Sequence, residues 1–78
     1  MKAEKVTNVV QVFRTNVNDP SQAEMLCDLV QVDTSVQRVN FDLDDCDKIF
    51  RVESTVNIDE KVIALLRLHG FTCEELPD

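Results

Sequence analysis

The sequence predicts an α+β domain of order β-α-β-β-α-β, a four-stranded antiparallel sheet with two helices on one face. Three observations predict it. Apolar and polar residues alternate through Val39-Asn40-Phe41-Asp42-Leu43, the period of a half-buried strand. Apolar residues recur at helical spacing at Ala23, Leu26, Cys27 and Val30, and again at Ile58, Val62, Leu65, Leu66 and His69. Cap and turn residues separate these runs, and no repeat, linker or composition break divides residues 1–78, so they read as a single domain.

The elements follow in order. Val6 to Val17 is rich in β-branched residues without a helical stripe and reads as a strand. Its inward face stays open: Val10 and Val12 lie on one side, Val9, Phe13 and Val17 on the other. A central strand partly covered on both faces accounts for this. Asn18-Asp19-Pro20-Ser21 then opens a helix. Asn or Asp accepts hydrogen bonds from free helix amides, and Pro suits the first helical position. Met25 and Leu29 flank its apolar stripe, and it ends near Val32-Asp33. Asp45-Cys46-Asp47 is a turn between two alternating runs, the second being Ile49 to Glu53 with Phe50 and Val52 inward; the pair forms a hairpin. Asn57-Ile58-Asp59-Glu60 reads as a capping box in which Asn57 caps the Glu60 amide and Glu60 reaches back. Gly70 ends that helix, because a left-handed residue costs Gly least. Phe71 to Leu76 completes the set. With right-handed crossovers, this order gives a ferredoxin-like sandwich.

Composition narrows the function classes. The chain has 78 residues, 44% of them hydrophobic, with one Gly and two Pro, so it reads as folded rather than low-complexity. A domain of this size buries only roughly 60% of its unfolded surface, which leaves little room for a deep substrate pocket. Eight Lys and Arg against fifteen Asp and Glu give a net charge of −7. Nucleic acid and anionic membrane surfaces both draw on a cationic stripe, and this acidic sequence has none, so neither is an expected partner. A basic protein partner is compatible with the charge. No apolar run approaches the roughly 20 residues of a membrane span, and Met1-Lys2-Ala3-Glu4-Lys5 has no continuous apolar stretch. Three widely spaced cysteines without a CxxC fit reduced thiols, hence a cytoplasmic protein.

No catalytic motif emerges, and the expectation is a non-enzyme with no cofactor. Cys27 falls on an apolar helix face and reads as a small core residue. Cys73 lies in the last strand. Cys46 is the thiol expected to be exposed, but Asp42, Asp44, Asp45 and Asp47 around it disfavour a thiolate. The run from Asp42 to Glu53 shares acidic positions with a calcium loop but has Asp47 where that loop needs Gly, and it alternates as two strands. His69, the single histidine, sits at a helix end where a cap or core role suits it, with no second ligand fixed beside it.

The chain resembles the heavy-metal-associated domains, the copper-chaperone-like family. That family carries an apolar residue, a variable residue and then Cys-x-x-Cys where its first strand meets its first helix. Here Phe13-Arg14-Thr15-Asn16-Val17-Asn18-Asp19-Pro20-Ser21-Gln22-Ala23 overlies that signature. Val17 takes the apolar position, Asp19 the first cysteine position and Gln22 the second. Val39 to Leu43, Lys48 to Glu53 and His69-Gly70-Phe71 resemble the family's later elements. The resemblance implies the βαββαβ fold and a degenerate member that lacks the CxxC. Cu(I) is soft and prefers thiolates, so Asp19 and Gln22 are degenerate ligand positions and no metal is expected there. The resemblance also implies partner docking through the first loop, at Asn16, Asn18, Asp19, Ser21 and Gln22. The fold leaves strand edges open, so the expected state is a monomer or weak dimer. The alternative is a metal-ion carrier for copper or a divalent cation, using Cys27 or Cys73 across a dimer, or the Asp cluster.

Overall fold

The computed structural model describes residues 8–77, and in them the predicted order is observed. The elements are β1 (Val9–Thr15), α1 (Pro20–Gln31), β2 (Val36–Asp42), β3 (Ile49–Ser54), α2 (Asp59–Leu68) and β4 (Cys73–Leu76). The strands form one antiparallel sheet in the order β2-β3-β1-β4, with β2 and β4 at the edges. This is a ferredoxin-like arrangement. The earliest residues of the expected first strand, Val6 and Thr7, lie outside the described residues.

Residue types explain the elements. Asp19 is extended (φ −112°, ψ 122°) and its carboxylate accepts from the Ser21 amide at 2.8 Å, with Pro20 at the first helical position. One face of α1 buries Ala23, Leu26 and Val30. Helix α2 buries Val62 and Leu66, with Ile58 just before it. Gly70 adopts φ +87°, so its amide bonds Arg67 and the Phe71 amide bonds the Leu66 carbonyl at 2.9 Å, closing the helix. A Cβ at Gly70 would meet nothing within 4 Å, so the backbone angle alone calls for glycine.

The core lies between the helices and one sheet face. Phe13, Val17, Leu26, Phe50, Val52 and Leu66 are its largest fully buried side chains. Phe50 pairs across the sheet with Phe13 and Phe41, and the Phe41 and Phe50 rings stack at 4.2 Å.

Four sequence expectations are corrected. First, β1 is central, but its buried face is the one bearing Gln11, Phe13 and Thr15, and Val10 on the other side is 47% exposed. Both crossovers deliver their helices to the same side, so among the described residues the opposite face stays open. Second, Asn57 and Glu60 do not form a capping box. The Asn57 carboxamide accepts from the Asp59 amide at 3.1 Å, and Ile58 occupies the cap position without a side-chain cap bond. The Ile58 amide instead donates to the Gln11 side chain at 2.9 Å. Third, His69 does not join the apolar face of α2. It is exposed at the C-cap, one residue past the last helical position. Fourth, the last strand begins at Cys73, because Phe71 and Thr72 are spent on the helix-ending turn and on a bond to Asn16.

Candidate functional site

The β1–α1 loop emerges at the end of the sheet that also carries the β2–β3 turn and the α2–β4 turn, because β1 and β2 run toward that end and β3 and β4 run away from it. Hydrogen bonds lock the three segments together. Asn16 accepts from the Thr72 amide at 2.8 Å. Buried Thr15 donates through Oγ1 to the Lys48 carbonyl at 2.7 Å, accepts from the Val17 amide at 3.2 Å, and donates its own amide to the Asp47 carbonyl at 3.2 Å. Val17, between these bonds, is fully buried.

The candidate docking residues divide into two kinds. Asn16 and Asp19 are exposed, but each already holds a backbone amide. Asn18, Ser21 and Gln22 are exposed around them. The donor set does not suit a soft metal: Asp19 offers a hard carboxylate engaged in capping, and Gln22 a neutral amide.

Beside the loop, the β2–β3 turn gathers negative charge. One ligand atom from each of Asp45, Cys46 and Asp47 lies within 4.8 Å of the others. Local bonding explains much of this cluster. Asp42 accepts from the Asp44 amide at 3.2 Å and Asp45 from the Asp47 amide at 2.8 Å, so both carboxylates shape the turn. Lys48 follows in the left-handed region at φ 48° and donates to the Leu43 carbonyl at 2.9 Å, which anchors the strained residue. Arg14 lies 3.8 Å from Asp47 and 3.5 Å from Glu74. These exposed pairs add little stability.

The cysteines separate by exposure: Cys46 is exposed, Cys27 half-buried and Cys73 buried, all three as free thiols. Burial pushes the Cys73 thiol up to about 11; nearby Arg67 works against the rise and Glu75 adds to it. Burial also raises Cys27, helped by Asp28 and Glu24. Both favour the neutral thiol, which does not ligate metal or attack as a nucleophile.

Two residues that organise the domain escaped the sequence reading. Thr15 ties β1 to the turn, and Gln11, only 2% exposed, ties β1 to α2 and β4. The available signal was a polar residue at an inward position of a period-two strand, Gln11 and Thr15 flanking Phe13. Among the described residues, no helix is long and apolar enough to cross a membrane. No family model matches this chain, and no curated protein or solved structure compared with it matches either.

Proposed function

We propose that this domain is a non-enzymatic, cytoplasmic protein-binding module. It is built like a heavy-metal-associated domain without the soft-metal ligands, and it docks a basic partner through the β1–α1 end. One observation carries the reading: exposed Asn18, Asp19, Ser21 and Gln22 sit in a frame pinned by the Asn16–Thr72 and Thr15–Lys48 bonds, beside the acidic β2–β3 turn. A pinned surface loses little conformational entropy on binding, and its negative charge steers a basic partner. The three free thiols are consistent with a reducing compartment.

The test is a charge change that leaves the cap in place. Asn caps a helix about as well as Asp, so Asp19→Asn combined with Asp44→Lys alters charge without removing the α1 cap. Association of a captured partner with this variant is expected to slow by about tenfold or more at low salt, and far less at high salt. Unchanged association would sink the docking surface.

The grouping of Asp45, Cys46 and Asp47 supports a second reading, a carrier of copper or a divalent cation. Titration with Cu(I), Zn(II) and Ca(II), followed by native mass spectrometry, separates the two. Stoichiometric binding that disappears in Cys46→Ser would favour the carrier.

A further inference from the structure

We propose that two copies of this chain pair through β2, antiparallel about a two-fold axis at Asn40, joining their sheets into one continuous sheet. The inference is independent of the docking surface proposed for the β1–α1 end.

Among the described residues, the strand order leaves two edges free for pairing, and they differ in chemistry. β4 has four residues, two of them Glu74 and Glu75, and Pro77 follows it. A second β4 laid against it would set carboxylates against carboxylates. β2 has seven residues and no Pro, and its one irregularity, between Val36 and Arg38, lies at its first end.

The register of β2 on β3 assigns its faces. Val39 and Phe41 stand opposite Val52 and Phe50, so they share the helix-covered face. Arg38, Asn40 and Asp42 alternate with them on the open face, and all three are exposed. A two-fold axis normal to the sheet must pair residues of the same face, so it passes through a residue of β2. Placed at Asn40, it sets Arg38 opposite Asp42 of the second copy twice and Asn40 opposite itself. On the helix side it sets Val39 opposite Phe41 of the second copy. At Val39 the axis would instead oppose Arg38 to Asn40, and at Phe41 it would oppose Asp42 to Asn40. Asn40 is therefore the position that matches opposite charges within the strand and apolar residues with each other.

The rest of the edge suits this arrangement. Arg38 and Asp42 form no ion pair among the described residues, and the Asp42 carboxylate, which accepts from the Asp44 amide through one oxygen, keeps its second oxygen for a partner across the interface. Val39 and Phe41 are only half-buried although they pack on the core. Phe41 is held against Phe50 by stacking, so little side-chain freedom is lost when a second chain covers it. Charges on an edge strand ordinarily discourage pairing; here a single register neutralises them. An edge contact of this extent is small, so the dimer is weak.

The experiment is sedimentation equilibrium of the full chain from about 10 µM to about 500 µM, a range that brackets weak dimers. The wild type is expected to shift toward dimer across this range. Arg38→Asp faces Asp42 across the axis and Asp42→Arg faces Arg38, so each is expected to weaken association by about tenfold or more. Combining Arg38→Asp with Asp42→Arg is expected to restore association to within about threefold of wild type. Arg38 is exposed, so Arg38→Asp serves even if Asp42→Arg disturbs the turn. A monomer throughout the range, single variants that dimerise like wild type, or a folded double variant without rescue would overturn the proposal.

Discussion

Replacing Gln11 by Met tests the internal logic of the fold most directly. Gln11 is 2% exposed on central strand β1 and makes three bonds to distant parts of the chain. Its carbonyl oxygen accepts from the Ile58 amide at 2.9 Å. Its amino group donates to Asn57 Oδ1 at 3.2 Å and to Glu75 Oε2 at 3.0 Å. The Ile58 amide is a fixed donor, so it dictates which way the carboxamide points. Met matches Gln in length but accepts nothing from Ile58. Leaving that buried amide without a partner costs about 1–3 kcal/mol. Losing the two part-buried donor bonds costs about 1 kcal/mol more, and the added apolar burial returns a similar amount. The net loss is about 2 kcal/mol. For a domain of this size that lowers Tm by about 8–16 °C. Total stability is expected at about 4–12 kcal/mol, so the change is a sizeable fraction of it. Thermal melts followed by far-UV circular dichroism suit a chain without Trp or Tyr. Amide hydrogen exchange adds a local readout, because protection at Ile58 should fall more than protection in β3. A Tm change under about 3 °C, or unchanged protection at Ile58, would refute the reasoning.

Further outcomes follow from the titratable groups. Asp33 accepts from Lys61 at 2.9 Å and from Ser35, and these bonds hold its carboxyl well below the usual carboxylate range. Because the folded-state value is depressed, its stabilisation is complete above the unfolded value of about 3.9 and disappears as pH falls through the folded one. Asp33→Asn is therefore expected to flatten the acid limb of a Tm–pH curve below about pH 4, and superimposable limbs would count against the Lys61 bond. Native-state alkylation with iodoacetamide, read by mass spectrometry, is expected to label Cys46 first, Cys27 more slowly and Cys73 only on unfolding. Cys73 titrates at about 11 when folded, so its contribution is intact below the ordinary thiol range and is lost as pH rises toward that value. Labelling of native Cys73 as fast as Cys46 would contradict its burial.

How much was legible in the sequence follows from the reach of each signal. The Asp19-Pro20 start of α1, the Gly70 stop of α2 and the alternation through Phe41 act over a few residues. Those elements appear where local chemistry put them, to within one to three residues. The position of the candidate loop was equally readable, since strand end, cap and helix are contiguous. The occupation of its side chains was not: Asn16 holds an amide 56 residues away.

The amino-acid sequence by itself determined the element order, the buried stripe of α1, the Ile58, Val62 and Leu66 part of that of α2, and the absence of a thiolate pair at the first loop, because periodicity, capping and ligand chemistry are properties of short segments. Only the tertiary structure decided which face of β1 is buried, why Asn57 forms no capping box, and which strands stand at the edges of the sheet. Each of those depends on partners brought together from distant positions, as when Gln11 takes the Ile58 amide 47 residues on. A local pattern shows that a polar side chain such as Gln11 stands among apolar ones; the group that satisfies it is chosen by the packing of the whole chain.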